Sequence, residues 1–176
     1  PDPVVRRLAL AGLIFYTVHV ILAKSNLFLI SGLMNAVRGT YELKRLGGLS
    51  GALPWLGVLF LISALSLAGL PPLSGFWAKL LVIKATLDAG HYFLALVALV
   101  TSLITLISML KIWNEAFWKP PPEPLANDTI RAVPPLRGSL ALYVTPIVLI
   151  AGLIVFIGLY PRTLYRAADR AAVQLL

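Results

Sequence analysis

The side chains able to do chemistry in this chain are few: Lys24, Lys79, Lys84, His19 and His91, set among hydroxyls in otherwise apolar runs. Lys79 stands inside "LAGLPPLSGFWAKLLVIKATL", residues 67–87, shortly after Pro71, Pro72 and Gly75. Proline and glycine interrupt helical hydrogen bonding and free backbone carbonyls, which can hydrate or bond an ammonium group. Removing an ammonium from water favours its neutral form, so a lysine here is placed to gain and lose a proton. The alternative is a permanently charged Lys79 tied to a carboxylate on another helix. Lys24 lies about two-thirds of the way along an apolar run, where a lysine costs about 2.5–3.5 kcal/mol to insert. Thr17, Lys24 and Ser31 are seven apart and share one helical face, with Ser25 and Asn26 adding polar groups nearby. The alternative for Lys24 is snorkelling toward the membrane surface.

The remaining candidates are weaker. Lys84 is about 140° round the helix from Lys79, so it reads as a boundary or snorkelling lysine. His19, five residues before Lys24 and off its face, is either a satisfied packing residue or a proton relay. His91 follows a short turn and reads as a loop histidine. Thr101, Thr105 and Ser108 form a hydroxyl stripe that carries water or packs closely against a neighbour. Lys111 and Glu115 are spaced to pair on a helix surface, an interaction of under about 1 kcal/mol.

These residues must be held by membrane helices. Of the 176 residues, 59% are hydrophobic and 12% charged, and mean hydropathy is +0.89. Those values lie well outside the soluble range. The expected fold is all-α: a polytopic transmembrane bundle of about five membrane helices, one of them short or discontinuous. Runs long enough for a bilayer core of about 30 Å define helix A (Leu8–Met34), B (Leu53–Leu70), D (Tyr92–Trp113) and E (Ser139–Tyr160). Helix C, Leu73–Leu87, would reach only about 22 Å, so it is short, tilted or broken and belongs inside the bundle. Residues 119–138 are proline-rich and read as an exposed loop. The chain divides into transmembrane helices over 1–160 and an amphipathic tail over 161–176, the tail lying at the interface. Because it opens "PDPVVRR" without methionine, it reads as a fragment or processed segment. If A to E make five crossings, the loop lysines and arginines divide evenly between the two sides and leave orientation open.

Several function classes are excluded. The formal net charge is +8, but the basic residues are scattered with no run longer than two, which argues against nucleic acid. With no cysteine there is no thiol chemistry. There is no glycine-rich phosphate loop, no metal-spaced His or carboxylate cluster and no Ser-His-Asp set, so no cofactor and no metal are expected. Cationic and hydroxyl groups in an apolar body suit movement of protons or cations through a lipid bilayer.

The order of "VHVILAKSNLFLISG", "LKRLGGL", "SLAGLPPLSGFWAKLLVIKATL" and "ISMLKIWNEAFWKP" resembles the last third of the proton-conducting antiporter-like subunits shared by respiratory complex I and multisubunit Mrp cation/proton antiporters. The "LKIWNEAFWKP" ending most resembles the D-type branch. The resemblance implies fourteen helices built from two inverted five-helix repeats, each repeat with a discontinuous helix bearing a key lysine, with A to E as the tenth to fourteenth. Lys79 matches that lysine. Lys24 matches the lysine of a His-x-x-x-Lys helix leading to the exit side, although here position 20 is Val20 and the histidine is His19. The resemblance thus implies Lys79, Lys24 and His19 as proton-transfer residues, and a non-enzymatic transporter subunit of the bacterial inner membrane. Its partners would be the other antiporter subunits, protons and monovalent cations such as Na⁺ or K⁺. The acid and lysine of the first repeat are not in this chain. Complex I membership and a purely structural helix bundle are the competing readings.

Overall fold

The computed structural model describes residues 2–120 and 139–176, and every regular element among them is helical. Helix α1, Pro3–Arg38, starts where the Asp2 carboxylate accepts the Val4 N–H at 2.9 Å and Pro3 takes the first helical position. It ends at Gly39, whose φ of 74° only glycine adopts freely. At about 1.5 Å per residue it is about 54 Å long, longer than the expected helix A and the axis on which the rest packs. A short 3₁₀ turn, Leu43–Arg45, and the four-residue α2, Leu49–Ala52, lead into α3, Pro54–Ala68. Then follow α4, Ser74–Asp88; α5, Tyr92–Trp113, continued by a π turn over Asn114–Trp118; α6, Ser139–Leu159; and α7, Pro161–Gln174. Beyond residue 120, the expected proline-rich loop lies outside the described residues.

The five expected membrane helices are all present as α1, α3, α4, α5 and α6. Two of them share a single crossing. Going down α1, Asn26 bonds Ser63 of α3, His19 meets Ser74 at the start of α4, and Gly12 lies against Leu81 and Val82 further along α4. The partners advance steadily, so α3 and α4 run opposite to α1 and follow one another end to end, interrupted at 69–73. Each has 15 residues, about 22 Å, and needs the other to cross the bilayer. The irregularity is the turn between them, and α4 itself is continuous. With α1, α5 and α6 long and apolar enough to span alone, the described helices suffice for four crossings.

Four crossings also return the chain to the side where α1 began, revising the even division of basic loops. Arg7 near the start of α1 pairs with Asp169 of α7, so Arg6 and Arg7 share an end with Arg162, Arg166 and Arg170. Ala168 and Ala172 of α7 pack with Ala11 and Phe15 of α1. At the opposite end Ile30, Leu33, Leu56, Phe60, Phe117 and Ile147 form the largest core. The expected Lys111–Glu115 pair does not form: Glu115 accepts from Lys119 at 2.5 Å, because the π turn shifts the helical register beyond Trp113.

Candidate functional site

The site begins with the end of α3. Gly69, at φ 94°, caps the helix by donating its N–H to the Leu65 and Ser66 carbonyls. The last carbonyls of a helix have no partner within it, and here one of them, that of Ala68, accepts a hydrogen bond from Lys79 Nζ at 2.9 Å. The second partner of Nζ is Ser102 Oγ of α5 at 2.7 Å. Ser102 donates its own hydroxyl proton to the Ala98 carbonyl at 2.8 Å, so its lone pairs face the lysine. Lys79 is half-buried, and among the described residues no carboxylate pairs with it; the ion pairs there are Arg7–Asp169, Arg45–Glu42 and Lys119–Glu115.

Lys79 opens into a cavity of about 420 Å³ between α1, α4 and α5. Its polar lining consists of Tyr16, Lys24, Thr101, Ser102 and Thr105 beside Lys79. The two lysines that sequence reasoning singles out therefore line the same space. Lys24 and Leu67 also line a second cavity of about 540 Å³, which continues past Ser31 toward Tyr41. Lys24 is exposed and sits where the two spaces adjoin, while Thr17 of its expected stripe is spent on the Leu13 carbonyl.

His19 belongs to another cluster. Its ring is fully buried, with Nδ1 3.0 Å from Ser74 Oγ; Ser74 Oγ is 3.2 Å from Ser66 Oγ, which in turn accepts from the Gly75 N–H at 3.2 Å. Nε2 has no partner and lies against Gly75, where a Cβ would stand 2.8 Å from it. The cluster ties α1 to both ends of the break, and His19 does not line the cavity of the two lysines. Lys84 and His91 are exposed, as a boundary lysine and a loop histidine should be. Among the described residues no His, Asp or Glu group could hold a metal ion.

Sequence reasoning misses Ser102, Ser66 and Ser74. The expected hydroxyl stripe is one residue off: Thr101 and Thr105 line the cavity but bond carbonyls of their own helix, Ser108 is exposed, and Ser102 meets the lysine. The signal available is the neighbouring hydroxyl at 102, but the rotation of α5 about its axis decides which of the two faces α4.

Similarity to known proteins accords with this fold. The family described as NADH:quinone oxidoreductase/Mrp antiporter, TM, matches residues 5–105. The D-type Na(+)/H(+) antiporter protein of Alkalihalophilus pseudofirmus is 40% identical over 97% of this chain and 33% of its own length. An N-type NADH-quinone oxidoreductase protein of Syntrophobacter fumaroxidans is 31% identical over 93% of this chain and 33% of its own. A chain in the structure of the Mrp complex from Dietzia sp. DQ12-45-1b superposes with a TM-score of 0.82 at 31% identity, covering 96% of this chain and 38% of that one. The chain thus spans about a third of the length of these relatives. A helical membrane bundle with a broken crossing, matched by the family over more than half its residues, belongs to the NADH:quinone oxidoreductase/Mrp antiporter membrane family, and is similar along nearly its whole length to D-type Mrp subunits.

Proposed function

We propose that this chain conducts protons as part of a multisubunit monovalent cation/proton antiporter in a bacterial inner membrane. Lys79 is the central protonatable group, Lys24 the next carrier, and His19, with one ring nitrogen unpartnered at the break, a further proton-exchanging group. The observation that carries the reading is the setting of Lys79: an ammonium held by one carbonyl and one hydroxyl, with no described carboxylate to fix its charge, facing a cavity shared with a second lysine. Each ammonium raises the cost of charging the other, since like charges repel as 332/(εr) kcal/mol. Protonation of one site therefore favours release from its neighbour, and protons pass along the pair. The role is that of a transporter subunit rather than an enzyme, with Na⁺ or K⁺ exchanged elsewhere in the assembly.

The test is Lys79→Ala in the complete complex reconstituted in vesicles. Antiport should be abolished while the subunits still co-purify, and unimpaired antiport would sink the assignment. A second reading, a proton-pumping subunit of an NADH:quinone oxidoreductase, rests on the similarity to the Syntrophobacter protein. The chains that co-purify, antiporter subunits or quinone-reducing ones, discriminate the two. A purely structural bundle would leave the pH profile of transport unchanged when either lysine is replaced.

A further inference from the structure

We infer that Ser102 of α5 is a positioning residue for Lys79, holding its amine at the mouth of the break in both protonation states. The inference rests on the proton-carrying role proposed for Lys79. Lys79 Nζ has two partners, and they differ in kind. The Ala68 carbonyl only accepts, so it serves an N–H of either form. Ser102 can accept or donate. In the arrangement seen, its proton lies on the Ala98 carbonyl and its lone pairs face Nζ, as an ammonium requires. A neutral amine carries a lone pair of its own, and rotation of the Ser102 hydroxyl away from Ala98 supplies a donor to it. No heavy atom has to move between the two arrangements. The proton released is the third, which the two engaged hydrogens leave for the cavity, and a turn about the Cε–Nζ bond then brings the vacated lone pair to Ser102 while an N–H stays on the Ala68 carbonyl.

The surroundings leave Ser102 as the adaptable partner. Helix α3 contains no titratable residue, and the two on α5, Tyr92 and Lys111, lie at its ends. From α1, Tyr16 and Lys24 line the cavity, and His19, which does not line it, bonds Ser74 at the start of α4 and is the other cationic neighbour of Lys79. The titratable residue of α6, Tyr143, is exposed near the helix start; Arg162 and Tyr165 of α7 face Trp77 and Leu81. Lys84 on α4 is exposed. Thr101 and Thr105 line the same cavity and bond carbonyls of their own helix as Ser102 does, but among the described residues Ser102 is the side chain that bonds Nζ.

The test compares parent, Ser102→Ala, Ser102→Thr and Lys79→Ala in the complete reconstituted complex, reading cation-driven proton flux across pH. Ser102→Ala should assemble, with the pH of half-maximal flux displaced toward acid by up to about one unit, the difference between a hydrogen bond to the ammonium and the weaker one to the neutral amine. Ser102→Thr, which keeps the hydroxyl, should restore the parent profile. A Ser102→Ala profile that superimposes on the parent, or a Ser102→Thr profile no better than that of Ser102→Ala, would overturn the inference. Should the alanine variant fail to assemble, Ser102→Cys, similar in size and a weak hydrogen bonder, takes its place with the same expected displacement. Flux surviving in Lys79→Ala removes the proton-carrying role itself. Flux lost there with an unshifted Ser102→Ala removes only the role of Ser102.

Discussion

A Cβ on residue 69 would stand 2.7 Å from Lys79 Cδ: the end of α3 has no side chain where the lysine stem passes on its way to the Ala68 carbonyl. Glycine there serves the backbone as well, since φ is 94°. Both demands fall on one position. Gly69→Ala should cost about 1–2 kcal/mol in backbone strain and also push the Lys79 stem aside. We expect antiport to fall sharply while the assembled complex loses only modest thermal stability, measured by flux and by melting of the purified complex. Normal flux in that variant would mean that the position of Lys79 is not critical.

Gly75 makes a sharper contrast. A Cβ there would land on the Ser66 carbonyl oxygen and 2.8 Å from the His19 ring, whereas one on Gly32 meets nothing within 4 Å. Backbone cannot yield as a flexible side chain does, so Gly75→Ala should prevent assembly and Gly32→Ala should be silent. Yield of the intact complex after gentle solubilisation reads this directly; equal yields would refute the close packing of α4 on α3.

His19→Gln keeps an amide able to bond Ser74, and His19→Leu does not. The glutamine variant should assemble normally yet transport more slowly, because an amide cannot take up a proton. The leucine variant leaves Ser74 and Ser66 to satisfy each other, and should cost about 1–3 kcal/mol of stability as well. Full transport in His19→Gln would reduce the histidine to packing.

The Arg7 guanidinium beside Asp169 holds that carboxyl below its ordinary value, chiefly through their hydrogen bond. A group whose folded-state value is depressed stabilises the fold above its unfolded value, about 3.9, and the contribution disappears as pH falls through the lower folded-state value. The docking of α7 on α1 should therefore be insensitive to this pair from neutral pH down to about 4 and loosen below. Hydrogen exchange of α7 in the purified protein measures it. Asp169→Asn should exchange faster already at neutral pH, and an unchanged rate would show that apolar packing of Ala168 and Ala172 alone holds the helix.

The sequence by itself determined the helices and that the chain is interrupted near residues 69–72, though it assigned the irregularity to helix C, where the structure has a continuous α4. Apolar runs of fixed length require helices because a bilayer offers backbone groups no other partners, and the glycine and prolines at 69–72 cannot continue one. The ends of α5 coincide with those expected, Tyr92 and Trp113, because a turn and an aromatic belt mark them locally. That Lys79 would find a carbonyl freed by the break also followed from local chemistry. Tertiary structure alone decided that α3 and α4 share one crossing, that Ser102 rather than Thr101 meets the lysine, and that His19 joins Ser66 and Ser74 instead of the lysine cavity. Periodicity fixes which residues share a face, but the rotation of each helix about its axis and its level beside its neighbours are set by packing between segments distant in sequence. A shift of one residue turns a helical side chain by about 100°, enough to exchange the face that meets Lys79 for one that does not.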